Sequence, residues 1–145
     1  MEKMKNVICG AALFSVVLMP FSSIQVEARA EASTGDTLVV LWTSGDPEVA
    51  EKVALMYTHA AARYEWFDHV ILIVWGPSAN MLAQNEKLQD KIKAMISGGV
   101  QLQACIACAD MYGVSEKLQE LGIEVTGMGR PLTDYLKKGY CQLSF

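Results

Sequence analysis

Two continuous apolar runs stand out along the chain, Thr37–Trp42 and residues 69–75. Neither run alternates apolar with polar positions, which is the pattern of a strand with one face in water. Uninterrupted runs rich in valine, isoleucine and leucine are typical of strands covered on both faces of a parallel sheet. We therefore predict that both runs are buried parallel strands.

Between these strands the spacing changes to that of a helix. Asp46 suits the N-cap and Pro47 the first helical position. Apolar residues then recur at helical spacing, as on the core-facing side of a helix; they are Val49, Val53, Met56, Tyr57, Ala60 and Tyr64. Together the two strands and the helix predict a β-α-β unit.

The remaining chain continues to alternate helices with strands. Residues 77–98 predict one broken helix or two short ones, and residues 100–104 a strand that is less buried because Gln101 and Gln103 alternate with apolar positions. The elements predicted after it are a helix from Cys105 to Gly113, a helix over residues 116–121 capped by Ser115, a strand over 123–125, a helix over 131–138 and a strand over 141–145. This order predicts an α/β fold with three layers, a mostly parallel five-stranded sheet and helices on both faces.

The amino-terminal region has a different pattern. Lys3 and Lys5 precede an apolar run over residues 7–19, and an A-x-A cleavage pattern follows at residues 28–30. We predict a signal peptide over residues 1–30, a short linker over 31–36 and one domain over 37–145, in a periplasmic or secreted protein with no membrane segment after cleavage. An uncleaved amino-terminal anchor is the alternative, although the apolar run is short for a membrane span.

Charge and composition narrow the function classes. After Ala30 the chain has 9 Lys and Arg against 14 Asp and Glu, and it contains no basic run. Without a basic surface to neutralise phosphates, nucleic acid is not expected as a partner. Three cysteines follow the predicted cleavage site, namely Cys105, Cys108 and Cys141. In an oxidising compartment, an odd number leaves at least one thiol unpaired within a monomer.

The candidate site lies where the parallel strands end, since ligands of open α/β sheets bind beyond the carboxyl ends of the strands. Four loops qualify, and their candidate residues are Ser44, Gly45, Asp46, Gly76, Pro77, Ser78, Cys105 and Arg130. Cys141 begins its strand, so a parallel last strand would place it at the opposite edge, where we expect a structural or oligomer-contact role.

Cys105 is the strongest candidate for chemistry. It stands where a strand passes into a helix, a position whose free N–H groups and helix dipole favour a thiolate, and Arg130 is placed to add positive potential. The alternative is that Cys105 is a small buried apolar residue. Cys108 completes a C-x-x-C pattern, which is typical of redox sites and of half a zinc site. No second half of a zinc site is found, so neither metal nor cofactor is predicted.

The chain resembles the DsrE/DsrF-like family, which is related to subunits of bacterial sulfur-relay sulfurtransferases. The resemblance rests on residues 41–46, 73–78 and above all 105–114, where the sequence reads CIACADMYGV. It implies a compact α/β fold, assembly into trimers or hexamers, and an active cysteine that follows the third strand and maps onto Cys105. The predicted export departs from the cytoplasmic relay proteins, so their partners are not transferred.

Three hypotheses follow for the function. In the first, Cys105 accepts sulfane sulfur as a persulfide and passes it between donor and acceptor thiols. In the second, Cys105 and Cys108 catalyse thiol-disulfide exchange. In the third, the protein is a non-catalytic oligomeric module that binds a small molecule or a metal at the strand-end edge.

Overall fold

The structure is a computed structural model that describes residues 36–145. The predicted signal peptide and nearly all of the predicted linker lie outside the described residues. The strands are β1 (Thr37–Trp42), β2 (His69–Val74), β3 (Gln101–Cys105), β4 (Glu124–Thr126) and β5 (Cys141–Ser144). The helices are α1 (Pro47–Val49), α2 (Leu55–Arg63), α3 (Pro77–Gln84), α4 (Glu86–Ser97), α5 (Ile106–Tyr112), α6 (Ser115–Glu120) and α7 (Gly129–Lys137), with a π-helical segment, Ala50–Ala54, between α1 and α2.

Within the described residues, the strands form one sheet in the order β4-β3-β2-β1-β5. Every neighbouring pair is parallel, and β1 pairs with β2 along its whole length, from Thr37 opposite His69 to Trp42 opposite Val74. The predicted α/β fold with a five-stranded sheet is therefore confirmed, with a sheet that is parallel throughout. No described helix is long and apolar enough to span a bilayer.

The two faces of the sheet are covered unequally. We call the first the large face: its strand residues pack with side chains from α2, α3, α4 and α6 into the main core. We call the second the small face: Val39, Ile71 and Ile73 pack there with Cys105, Cys108 and Met128. Leu132, Tyr135 and Tyr140, on α7 and just beyond it, complete this second cluster. The small face thus holds both thiols of the C-x-x-C pattern.

The predicted apolar stripe of the first long helix is only partly on the buried side: Tyr57 packs against the main core, while other members are exposed. Met56 and Tyr64 are 61% and 63% exposed, and Val53 is 40% exposed. The residues buried instead are Ala50, Ala54, Leu55, Thr58 and Ala61. The physical reason is the π-helical segment, which adds to the residues per turn and rotates the following turns relative to an uninterrupted α-helix.

Two smaller expectations also need correction. Gln103 is only 4% exposed, because α7 covers it and Tyr135 donates a 3.0 Å hydrogen bond from its hydroxyl to the Gln103 amide oxygen. The Gln103 amide nitrogen donates to Glu124 at 2.9 Å, so this buried polar side chain is satisfied. Ser115 does not cap α6: it is the first helical residue, and its hydroxyl donates to the Asp110 carboxylate.

Candidate functional site

The parallel sheet brings the predicted loops to one edge, where the strands end. Gly45, after β1, lies against Pro77, after β2: a Cβ on Gly45 would lie 3.1 Å from the Pro77 Cβ. A glycine at this position therefore permits the two loops to approach closely. Beside them is an open groove of about 410 Å³, to which Gly45, Pro77 and Tyr112 contribute together with Asn80, Met81, Gln84 and Asn85. The thiols do not line this groove.

Two of the predicted pocket residues, Ser44 and Asp46, hold the loop after β1 in shape. The Asp46 carboxylate accepts hydrogen bonds from the N–H groups of Glu48 and Val49 at 2.7 and 3.0 Å, which caps α1 as predicted. The Ser44 hydroxyl accepts a hydrogen bond from the Asp46 N–H at 3.1 Å. These contacts shape the loop after β1.

Ser78 joins the ends of β1 and β2. Its side chain is fully buried, and its hydroxyl donates to the Trp42 carbonyl at 2.6 Å and accepts from the Trp75 N–H at 3.0 Å. Since both ends of this hydroxyl are engaged with backbone, Ser78 holds the strand ends in register and is shielded from a ligand.

The two cysteines meet on the small face. Cys105 is the last residue of β3 and the N-cap of α5, and Cys108 lies one helical turn further on. Their side chains are in hydrogen-bonding contact and are buried, with 6% and 7% of their surfaces exposed. The Cys105 thiol makes no capping hydrogen bond to the first-turn amides. Both are free thiols, as is Cys141.

The pKa of the Cys108 thiol is raised in the folded protein. Burial raises this pKa first of all, and the hydrogen bond and electrostatic interaction with the neighbouring Cys105 side chain raise it further. The backbone N–H of Gly76 donates a hydrogen bond to the Cys108 sulfur, which opposes these effects on the pKa without cancelling them. Cys108 is therefore protonated at neutral pH.

Gly76 adopts a backbone conformation that favours glycine. Its φ is 69° and its ψ is −134°, a combination that residues with a Cβ rarely adopt. This turn follows β2, and it is where the Gly76 N–H reaches Cys108. The predicted candidate Gly76 is thus brought to the thiols through its backbone.

Met128 is a neighbour of the thiols that the sequence reasoning missed. It is fully buried in the same cluster as Cys105 and Cys108, and it is the N-cap residue of α7. Trp75, at the end of β2, is partly buried against the same cluster. In the sequence, Met128 is marked only by its place in the loop after β4. The site residue predicted from that loop was Arg130.

Arg130 was predicted in the loop after β4, but it lies in the first turn of α7, which begins at Gly129, and its charge is directed to its own helix. The Nε donates to both carboxylate oxygens of Asp134 at 2.9 and 2.8 Å, and the arginine side chain is 84% exposed. An exposed ion pair of this kind contributes little to stability, and its partner neutralises much of its field. Arg130 is therefore paired with Asp134, whereas the sequence analysis expected it to add positive potential at Cys105.

Cys141 lies at the opposite edge of the sheet, as predicted from a parallel last strand. It is the first residue of β5, pairs with Leu38 near the start of β1, and is exposed. A second cleft, of about 350 Å³, lies at this amino edge, where Thr37, His69, Gln101 and Tyr140 contribute to its lining. This cleft is separate from the cysteine pair.

The groups available for chemistry near the carboxyl ends of the strands are two thiols. Within residues 36–145, no group of three or more histidine, cysteine, aspartate or glutamate side chains is arranged to hold a metal ion. What the site does contain is a pair of contacting thiols, one of them held protonated, in an apolar environment. Such a pair can carry a sulfur atom, form a disulfide, or do both in sequence.

Comparison with known proteins adds a family to this geometry. A model described as the DsrE/DsrF-like family matches residues 36–145, from the first described residue to the last. Among solved structures, a conserved protein of unknown function from Bacteroides thetaiotaomicron is similar, with a TM-score of 0.73 and 34% sequence identity, covering 76% of this chain and 95% of that one. The comparison with curated proteins finds no match.

Proposed function

The chain belongs to the DsrE/DsrF-like family, and from that premise we propose that it handles sulfur, accepting sulfane sulfur as a persulfide on Cys105 and passing it to an acceptor thiol. One observation carries the proposal. Cys105 ends a buried strand beside Cys108, and burial raises the pKa of Cys108, which disfavours the thiolate at that position. Cys105 is then the nucleophile of the pair.

The transfer consists of two displacement steps at sulfur. The Cys105 thiolate attacks the terminal sulfur of a donor R–S–SH, so that a new S–S bond forms, the donor S–S bond breaks, and the donor leaves as R–S⁻. Cys105 now carries S–SH. An acceptor thiolate attacks this terminal sulfur in the same way, and Cys105 is released as a thiolate.

Cys108 influences how long the persulfide lasts. Attack by Cys108 on the Cys105 sulfur would form a disulfide and release the terminal sulfur as H₂S. The thiolate is the attacking form, and the raised pKa of Cys108 keeps it scarce at neutral pH. The persulfide is therefore expected to persist long enough to meet an acceptor.

Intact-mass measurement after incubation with a sulfane donor tests the proposal. We expect the wild-type protein to gain one sulfur atom that cyanide removes, and Cys105→Ser to gain none. Because the exposed Cys141 can react by itself, both proteins should carry Cys141→Ser. If the wild-type site gains no cyanide-labile sulfur, or if Cys105→Ser gains as much as wild type, the persulfide proposal is wrong.

Thiol-disulfide exchange is the second candidate, and the contact between the two thiols favours it. In this case Cys105 and Cys108 form a reversible disulfide, at the expense of an external disulfide that is reduced to two thiols. Cys108→Ser separates the candidates: it abolishes exchange but leaves sulfur loading on Cys105 intact. Exchange without any sulfur gain would favour the redox function.

Location and assembly belong to the same proposal. We propose export to the periplasm or secretion on the pattern of residues 1–30, with unidentified donor and acceptor thiols as partners. A homo-oligomer, a trimer or hexamer, is supported by the apolar side chains exposed on and beside α2, which include Met56, Tyr64 and Trp66. Light scattering on the purified protein measures the assembly directly; a monomer at micromolar concentration would contradict it.

A further inference from the structure

Cys105 lacks a strong hydrogen-bond donor on its own helix. A thiol acts as a nucleophile in its anionic form, which a hydrogen-bond donor stabilises. The Cys105 thiol makes no capping hydrogen bond to α5, and Arg130 is 84% exposed and paired with Asp134. Cys108 offers only an S–H, which is a weak donor. The neighbouring strand, β4, supplies a stronger one.

Thr126 is the residue of β4 that lies opposite Cys105. In the parallel ladder between β3 and β4, Gln103 pairs with Glu124 and Cys105 pairs with Thr126. The first pair meets on the small face, where the Gln103 amide donates to the Glu124 carboxylate at 2.9 Å. Residues two apart on a strand share a face, and neighbouring strands lie about 4.8 Å apart. Cys105 and Thr126 are therefore cross-strand neighbours on the small face.

The Thr126 hydroxyl is not engaged elsewhere. Thr126 is half-buried, and among residues 36–145 its hydroxyl has no hydrogen-bond partner. By contrast, the Ser78 hydroxyl donates to Trp42 and the Tyr135 hydroxyl donates to Gln103. A threonine O–H turns about its own bonds and can donate to an acceptor that gains negative charge beside it. The hydroxyl is therefore available when Cys105 loses its proton.

We infer that Thr126 donates a hydrogen bond from its hydroxyl to the Cys105 sulfur when that sulfur is the thiolate that attacks a sulfane donor. This inference rests on the proposed sulfur-handling function, in which Cys105 is the nucleophile. The donor acts without adding a charge to an apolar cluster, where an unpaired charge would be costly.

The titratable groups on the elements packed around Cys105 do not replace this donor. Cys108, on α5, has its pKa raised and stays protonated at neutral pH. Glu124, on β4, accepts from Gln103, and Tyr135, on α7, donates to the same side chain. Tyr140, just beyond α7, stacks on Tyr135 with ring centroids 5.8 Å apart. Thr126 thus has a role at Cys105 that these groups do not fill.

The pH dependence of alkylation at Cys105 tests the donor without requiring sulfur transfer. Iodoacetamide is used in the Cys141→Ser background, and peptide fragmentation separates Cys105 from Cys108. Thr126→Val keeps the branching and approximate volume of the side chain and removes the O–H. We expect the rate at pH 7 to fall about three- to tenfold and the midpoint of the rate against pH to rise by about one pH unit, because the anion loses a hydrogen bond.

Two control variants separate the donor from packing and access. Thr126→Ser keeps the O–H and should keep the midpoint of wild type. Thr133→Val removes a hydroxyl that donates to the Gly129 carbonyl of its own helix at 2.8 Å, and it should also match wild type. A change in access to the buried thiol multiplies the rate at every pH alike and leaves the midpoint in place. An unmoved midpoint in Thr126→Val, or the same shift in either control, would overturn the inference.

Sulfur loading separates this inference from the proposed function. At pH 7, Thr126→Val should gain sulfur from cysteine hydropersulfide about three- to tenfold more slowly than wild type, since less of Cys105 is in the attacking form. Thr126→Ser should load at the rate of wild type. Equal rates in Thr126→Val and wild type overturn the inference while the proposed function stands. If wild type gains no cyanide-labile sulfur, the proposed function is wrong, and the alkylation midpoints still decide whether Thr126 donates to Cys105.

Discussion

The two faces of the sheet differ in what covers them. On the large face, helices from four separate parts of the chain enclose a core that includes fully buried Leu72, Leu82 and Ile92. On the small face, α7 packs over a cluster that includes Cys105 and, from α5, Cys108, and several of the cluster's contributors are only partly buried. The large face resembles the interior of a stable domain. The small face is a thinner apolar layer that contains the two thiols.

This difference separates stability from chemistry. Regions that open locally have few buried apolar contacts, and functional segments are drawn from them. The predictions below compare the faces in order of decreasing expected effect.

Matched leucine truncations should give the largest difference. Leu72→Ala, on the large face, is expected to lower the free energy of unfolding by about 2–5 kcal/mol, since it leaves a cavity among fully buried neighbours. Leu132→Ala, on the partly buried α7, should cost only about 1 kcal/mol. Urea unfolding measures both variants. Equal costs would show that the small face is as tightly packed as the large one.

Removing the Tyr135 hydroxyl should weaken the packing of α7 on the small face. Tyr135→Phe leaves the buried amide oxygen of Gln103 without its donor, which is expected to cost about 1–3 kcal/mol. The matched control is Tyr57→Phe, on the large face, with an expected change within about 0.5 kcal/mol. Urea unfolding again supplies the values. If the two variants lose the same stability, the contact between Tyr135 and Gln103 does not hold α7 on the sheet.

A pH titration of stability should give a smaller effect. The pKa of Cys108 is raised from its ordinary value of 9.0 in the folded protein, so the folded state keeps this proton to higher pH than the unfolded state does. The resulting stability is complete below that ordinary value and is lost as the pH rises through the higher folded-state value. Urea unfolding between pH 7 and about pH 10 should show this decline in wild type and a weaker one in Cys108→Ala. Identical profiles would mean that Cys108 is not held protonated by the fold.

The smallest effect is expected at Met56, an apolar residue whose spacing in the sequence suggests burial but whose side chain is exposed. Met56→Ala should change the free energy of unfolding by no more than about 0.5 kcal/mol, because Met56 is 61% exposed. Its neighbour Leu55 is 1% exposed, and Leu55→Ala should cost about 2–5 kcal/mol. Thermal or urea unfolding of the pair tests the rotational phase of α2. If Met56→Ala cost more stability than Leu55→Ala, the helix would instead have the rotational phase that the sequence alone predicts.

Much of the fold was predictable because its signals are local. Apolar runs without alternation identified β1 and β2, Asp46 and Pro47 marked the start of a helix, and parallel strands implied that Cys141 lies far from the other two cysteines. The phase of α2 was not predictable. Its buried face is built largely from alanines, which give a weak hydrophobic signal, and a π-helical segment shifts the spacing before it.

The position of the candidate cysteine was predictable, and its surroundings were not. The position of Cys105 at the end of β3 follows from the order of elements along the chain. The hydrogen bond of Gly76 to Cys108, and the burial of Met128 in the same cluster as the thiols, depend on how separate loops meet in space, which no local pattern encodes. Arg130 illustrates the same limit, since an acidic residue one turn away on its own helix became its partner.

The central claim is that Cys105 is the nucleophile of the pair and Cys108 the thiol that stays protonated. Alkylation of wild type at pH 7 with limiting iodoacetamide, read by peptide fragmentation that separates the two positions, tests it directly. The claim predicts that Cys105 is modified faster than Cys108, and that Cys108 remains slow in Cys105→Ser. Modification of Cys108 at an equal or higher rate would contradict it.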